Sequence, residues 1–332
     1  MARRVIIDTD PGVDDALALL LALRSPELRV EAITSVAGNV PVDVATQNVQ
    51  RVLALAESPE WPVLAHGAPQ PLEREPVFAT FLHGHDGLGG AAHACEGQRL
   101  KQGRELSHRT AAEEILHQLA LAEEPVTVIA LGPLTNIALA LERDEGQLAR
   151  LERLVVMGGA VEAPGNVTPA AEFNFFFDPE AAARVLQSGL PLTLVGLDVT
   201  AKAVLPEQEL RREVASRPSR VGRFVVECTS AVYASMLERE GTRSMPLHDP
   251  LAVALVLEPS LVQMRYLHVS VETRGELTRG LSLADRRPLQ PQLKEPPNAS
   301  VCLQVDVPRF MKLFTERVLW PQSSSSAAPT RI

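Results

Sequence analysis

This 332-residue chain is poor in cysteine, lysine and aromatic residues and has no long apolar run. Three cysteines, Cys95, Cys228 and Cys302, lie far apart and fit no metal-ligand spacing, which argues against zinc. The chain starts Met-Ala-Arg-Arg and enters an apolar strand at once. An odd cysteine count without a leader predicts reduced thiols, no signal peptide and a cytoplasmic setting. The apolar stretch Ala16–Leu23 is far short of the roughly 20 residues a membrane span needs. A net charge of −9, with Arg3-Arg4, Arg211-Arg212 and Arg286-Arg287 as the only tight basic pairs, argues against a nucleic-acid partner. No Gly-x-Gly-x-x-Gly follows the first strand and no Gly-x-x-x-x-Gly-Lys-Ser/Thr exists, so dinucleotide and nucleoside-triphosphate binding lose their usual support.

What is present reads as an ordinary soluble α/β chain, 45% hydrophobic and 22% charged. Strand-like runs fall near Val5–Thr9, Val30–Val36, Val63–Ala65, Val126–Ala130, Leu154–Met157, Leu192–Gly196, Leu267–Val271 and Val301–Val305. Helical patterns fit Asp14–Leu23, Val42–Glu57, Thr110–Ala122, Pro133–Glu142, Pro179–Gln187, Arg220–Glu238 and Pro250–Leu257. Many early strands are unalternated Val/Ile/Leu runs, the mark of burial on both faces and a parallel sheet. The expectation is one domain over residues 1–320, a mostly parallel doubly wound sheet flanked by helices. The Ser/Ala/Pro-rich residues 321–332 are expected to be a disordered tail.

In such sheets ligands bind outside the carboxyl ends of the strands. Asp10 follows the first strand, Gly38-Asn39 the second, Leu131-Gly132-Pro133 the fourth and Gly158-Gly159 the fifth, all on one rim. The string Asp8-Thr9-Asp10-Pro11-Gly12-Val13-Asp14-Asp15 puts four carboxylates in eight residues on a strand-to-helix turn. Like charges so close repel unless something positive neutralises them, and a hard divalent cation takes oxygen ligands. The helix dipole favours ionised Asp14 and Asp15. A solvated acidic cap is the plainer reading, but a cap needs one Asp rather than four.

Further along, His83-Gly84-His85-Asp86-Gly87-Leu88-Gly89 reads as a surface loop or a flexible lid. Asn166, Glu172 and Asn174, with Phe173 among them, form a set suited to hydrogen bonding a polyhydroxylated ligand, unless they only shape a turn. His248-Asp249-Pro250 reads as an Asp N-cap with Pro at the first helical position, compatible with Asp249 also turning an oxygen to a metal.

Taken together these motifs resemble the nucleoside hydrolases, the inosine–uridine-preferring N-ribohydrolase family. The resemblance runs from Val5 to about Pro308 and rests on Asp-x-Asp-Pro-Gly-x-Asp-Asp, Gly38-Asn39, Gly132-Pro133-Leu134-Thr135-Asn136, Met157-Gly158-Gly159, Ala171-Glu172-Phe173-Asn174 and His248-Asp249-Pro250. It implies Ca²⁺ held by Asp10, Asp15, Asp249 and the Leu131 carbonyl, with Asp10 as general base toward a water. It implies ribose contacts from Asp14, Asn39, Asn166, Glu172, Asn174 and Asp249. His83 and Met157 match positions near the ribose and base, and His248 matches the group that helps the base depart. Ala160 departs from the pattern, standing where many members have a third glycine. Tyr233 is expected either to stack on the nucleobase or to pack its helix. The resemblance also implies a homo-oligomer.

The chemistry agrees: N-glycosidic cleavage builds oxocarbenium character on the sugar, water needs activation, and the leaving base needs a proton or its equivalent. Two competing readings follow from the same residues. Asp8-Thr9-Asp10 also resembles the start of a haloacid-dehalogenase phosphatase, although the continuation differs and lysines are few. A calcium-dependent nucleoside or sugar sensor would keep the ligands but lose Asp10 or His248, and both are present.

Overall fold

The computed structural model describes residues 2–56, 61–95, 105–288, 292 and 295–320. The expected tail, 321–332, and Glu57, the expected last residue of the second helix, lie outside the described residues. The main sheet has eight strands in the order β3-β2-β1-β4-β5-β6-β12-β9. These are β1 Arg3–Thr9, β2 Leu28–Ser35, β3 Val63–Ala65, β4 Val126–Ala130, β5 Leu151–Met157, β6 Leu192–Val195, β9 Val262–Leu267 and β12 Ala299–Val305. Every neighbouring pair is parallel except β12 with β9, the antiparallel edge.

Alternation along the buried strands explains the two cores. Val5 and Ile7 face one layer while Ile6 faces the other; Val155 and Met157 oppose Leu154 and Val156 in the same way. The helix Val13–Leu23 lies inside the first layer, buried from Val13 to Ala22 and packed against the helix His248–Leu257. Its sequence is therefore apolar on nearly every face. The helices Ala111–Leu121, Thr135–Arg143 and Pro179–Leu186 cover the other side of the sheet.

The order in which strands are added reverses between β1 and β4, although the two are parallel: β1, β2 and β3 are laid down outward one way, and β4, β5 and β6 the other. A crevice opens at such a switch point because the two following loops diverge. Asp10 leaves β1 there and Leu131 leaves β4, and the two strand ends are joined by the Leu131 N–H donating to the Asp8 carbonyl at 2.8 Å.

Three expectations need correction. The run Leu267–Val271 is not one strand: β9 ends at Leu267, and β10 Val269–Val271 pairs with β11 Ser282–Ala284 in a separate small sheet. Asn298 accounts for the break, since its Oδ1 accepts the Val269 N–H at 2.8 Å and diverts the chain. The last expected helix begins at His248 rather than Pro250, and Asp249 caps nothing: the cap position is Leu247 and makes no side-chain bond. The Gly-rich loop after His83 is not loose. Asp86 Oδ1 accepts the N–H groups of Leu88 and Gly90 at 3.0 and 2.9 Å, and its Oδ2 accepts that of Ala92 at 3.2 Å. Four glycines with positive φ, Gly84, Gly87, Gly89 and Gly90, allow the turn to wrap around that carboxylate. Short elements without a long periodic signature went unforeseen: the helices Phe173–Phe177 and Leu197–Thr200, and the pair β7 Val204–Pro206 with β8 Ser244–Pro246. Among the described residues no helix is long and apolar enough to cross a membrane.

Candidate active site

Asp15 organises the acidic turn. Its Oδ1 accepts the Thr9 hydroxyl at 2.6 Å and the Asp10 N–H at 3.3 Å; its Oδ2 accepts the Gly12 N–H and the Asn39 amide, both at 3.0 Å. All these donors are neutral, so they orient the charge without cancelling it. Asp10 is fully buried. Its Oδ2 accepts the Asn39 N–H at 2.6 Å, while its Oδ1 has no hydrogen-bond partner. Two glycines crowd it: a Cβ at Gly38 would lie 2.1 Å from Asp10 Oδ2, and one at Gly132 would lie 2.5 Å from Oδ1.

Asp249 arrives from the other end of the chain. One carboxylate oxygen each from Asp14, Asp15 and Asp249 lie within 4.8 Å of one another, all buried. Burial, followed by the charges of Asp14, Asp15 and Asp10, holds the Asp249 carboxyl well above the usual range. Asp10 is pushed up by burial and then by Asp15. Asp14 is raised to about 7, again by burial and then Asp15. The tight oxygen triple contains Asp14, where Asp10 was expected; Asp10 Oδ2 is engaged by the Asn39 N–H. All four carboxylates nevertheless act on one another.

An all-oxygen, buried, carboxylate-rich cluster with an orphaned Oδ1 fits a hard divalent cation, which would relieve each of these shifts at once. Zinc would want nitrogen or sulfur donors.

Glu172 and Asn174 close the opposite wall. Glu172 Oε2 accepts the N–H groups of Gly159 and Phe175 at 2.9 and 3.2 Å, and Oε1 accepts that of Asn174 at 2.8 Å. Glu172 thereby caps the short helix Phe173–Phe177 and presents a buried carboxyl whose charge reaches Asp14. Burial raises its pKa despite those bonds. The Asn174 amide donates to the carbonyls of Leu131 and Met157 at 2.7 and 3.1 Å, holding both strand ends at the rim. Asn166 sits further out, exposed, its Oδ1 accepting the Phe173 N–H at 3.0 Å. Phe173 is half-buried with its ring 6.0 Å from that of Phe177.

Two imidazoles face this cluster. His83 is buried and its Nδ1 accepts the Val13 N–H at 3.0 Å, so in the neutral ring the proton is on Nε2. Burial lowers its pKa to about 4, against the opposing pull of Asp15. His248 is half-buried, with Nδ1 2.9 Å from the Thr200 hydroxyl. Desolvation and then the neighbouring His83 lower it to about 4 as well. Burial thus favours the neutral form of both rings.

Tyr233 is the expected site residue that the structure moves away. It is 1% exposed, packs in the core with Phe224 and Met236, and donates its hydroxyl to the Leu205 carbonyl at 3.1 Å. The alternative expectation for it, helix packing, is the one realised. Thr200 and Asp198 were unforeseen as parts of the site. Thr200 meets the His248 ring, and Asp8 lies buried beneath Asp10 with Oδ1 accepting Thr34 and Asn136 at 2.5 and 2.7 Å. Asp198 accepts the N–H groups of Val161, Glu162 and Ala163 and so shapes the loop after β5. Asp8, in the acidic string, and the motif asparagine Asn136 carried a signal; Thr200 and Asp198 follow apolar runs that look like ordinary core.

The profile of the family described as inosine-uridine preferring nucleoside hydrolase matches residues 5–312, nearly the whole chain. The chain belongs to that family, and it is a nucleoside N-ribohydrolase enzyme. It is 40% identical over 327 residues to the pyrimidine-specific ribonucleoside hydrolase RihA of Salmonella gallinarum, covering 96% of this chain and 99% of that one. A plant nucleoside hydrolase structure superposes with a TM-score of 0.87 at 31% identity, covering 97% of this chain and 100% of the other. The purine-preferring ribonucleoside hydrolase of Gardnerella vaginalis gives 0.85 at 30% identity, covering 95% and 98%.

Proposed function

We propose that this enzyme is a Ca²⁺-dependent hydrolase of ribonucleosides that releases ribose and the free base, with pyrimidine ribosides preferred. The unpartnered Oδ1 of Asp10 amid buried Asp14, Asp15 and Asp249 carries the reading. Asp10, Asp15, Asp249 and the Leu131 carbonyl would hold the ion, with Asp14 near enough to share it. Ca²⁺ bound there would supply Lewis-acid polarisation of water and help orient the ribose. Asp10 takes the water's proton on its free Oδ1 while the Asn39 N–H steadies Oδ2. Asp14, Asn39, Glu172, Asn174 and, at the outer edge, Asn166 bind the sugar hydroxyls, and Met157 lines the floor. Neutral His83 and His248 face the heterocycle, and Phe173 closes the sugar side. His248, its Nδ1 engaged by Thr200, offers Nε2 to the departing base as a hydrogen-bond partner.

The pyrimidine preference is supported by the name of the relatives at 40% identity against purine names at 30%. A homo-oligomer is supported by exposed Met264 and Tyr266 on edge strand β9 and Leu283 on β11. A cytoplasmic setting is supported by three unpaired, buried cysteines. The test is release of base and ribose from a panel of purine and pyrimidine ribosides, with and without calcium. No release from any riboside in calcium would overturn the reading, and faster purine turnover would overturn the preference.

A further inference from the structure

Asn48 is fully buried on the helix Val42–Ala56, outside every motif discussed above. Both hydrogens of its amide are spent on carbonyls of two different loops. Nδ2 donates to the Asp86 carbonyl at 2.8 Å and to the Pro11 carbonyl at 3.1 Å. The orientation is fixed from behind, because Arg51 donates to Asn48 Oδ1 at 2.8 Å. Gly87 lets the loops close on this amide: a Cβ there would sit 2.6 Å from Asn48 Nδ2 and 2.9 Å from the Pro11 carbonyl oxygen.

Each of the two bonds leads to His83. From Pro11 the chain runs two residues to Val13, whose N–H donates to His83 Nδ1. From Asp86 it runs three residues to Gly89, whose N–H donates to the His83 carbonyl at 2.8 Å. Ring and backbone of His83 are thus held by two segments that Asn48 joins. The geometry points to Asn48 as a positioning residue that sets the distance between the acidic turn and the His83 loop, and so aims His83 at the substrate. The inference rests on His83 facing the substrate, as proposed above. An isolated core asparagine needs only to satisfy itself; this one bridges two loops of one pocket and is braced by a cation.

The test is a double-mutant cycle on uridine hydrolysis in calcium, with Asn48→Asp and His83→Ala alone and together. Asn48→Asp keeps the shape and removes the two donors. It is expected to raise KM about tenfold with kcat changed less than about twofold, since a misaimed binding group loses uniform binding. In the His83→Ala background the same change should move KM by less than about twofold, because a residue acting through His83 has nothing left to act on. Equal losses in both backgrounds, or a fall in kcat alone, would overturn the positioning role. An unchanged KM in His83→Ala by itself would overturn both this inference and the placement of His83 at the substrate. Arg51→Met provides the second variant if Asn48→Asp does not fold: it leaves the clamp but frees its orientation, and should raise KM in the same direction by a smaller factor that also vanishes with His83→Ala.

Discussion

His83 Nδ1 accepts the first amide N–H of the helix that Asp14 and Asp15 open, that of Val13, at 3.0 Å. A positive imidazole would have to surrender that bond and face the positive end of the helix dipole. The ring is therefore part of the acidic turn's scaffold as well as of the pocket wall.

One consequence is a pH dependence with two opposing signs. The folded pKa values of His83 and His248 are lowered to about 4, so their contribution to stability is complete above the unfolded value and lost as pH falls from about 6.5 to about 4. Asp8 and Asp14 are raised to about 7, so theirs is complete at low pH and lost as pH rises from about 4 to about 7. Asp10 and Asp249 are raised too, so four carboxyls outweigh two imidazoles. Chelator-treated protein should melt at lower temperature at pH 8 than at pH 5. Calcium should reverse the trend, adding about 2.7 kcal/mol at a hundred times its Kd. A melting curve indifferent to both chelator and pH would remove the bound cation from the reading.

Asp10→Asn should leave the fold intact and cut kcat by about a hundredfold to ten-thousandfold, the range for a lost general base. The Asn39 N–H would still find an oxygen there, and a buried charge disappears. Steady-state inosine and uridine hydrolysis with circular dichroism would check this. Hydrolysis close to that of the unmodified enzyme would exclude Asp10 as base.

Gly38→Ala probes the packing around that base. The new methyl would sit 2.1 Å from Asp10 Oδ2 and 2.8 Å from Pro133 Cδ, both close to the β1 and β4 ends. Overpacking of this kind costs about 1–3 kcal/mol, so the protein should fold, with Asp10 displaced and turnover lost. Full activity in this variant would mean that Asp10 tolerates movement, contrary to a base held in place.

His248→Ala should harm inosine far more than a riboside with an activated leaving group, since only the poorer leaving group needs the ring's hydrogen bond. Because burial favours the neutral ring, kcat/KM should show no alkaline decline between pH 6 and 8. Equal losses on both substrates would reduce His248 to a structural part, and a decline centred near pH 6.5 would restore an imidazolium acid.

Much of this was legible in the amino-acid string. The β-rich buried runs, the alternation of strand and helix, and the acidic string ending β1 are local patterns, and local patterns survive folding because burial on two faces demands apolar residues at every position. Asp10, Asp14 and Asp15 announce themselves by spacing alone. What the fold decided is which distant atoms meet. Asp249 joins the acids because two buried helices, Val13–Leu23 and His248–Leu257, pack side by side and bring their first turns to one rim. Tyr233 turned inward because its helix had a core to fill and the Leu205 carbonyl to satisfy, which no periodicity distinguishes from a base-stacking role. Thr200 and Asn48 were silent in the sequence, and the partners of Asp8 were not legible there, for the same reason: a hydrogen bond between residues tens of positions apart leaves no local trace, and only tertiary packing gives such a residue its partner.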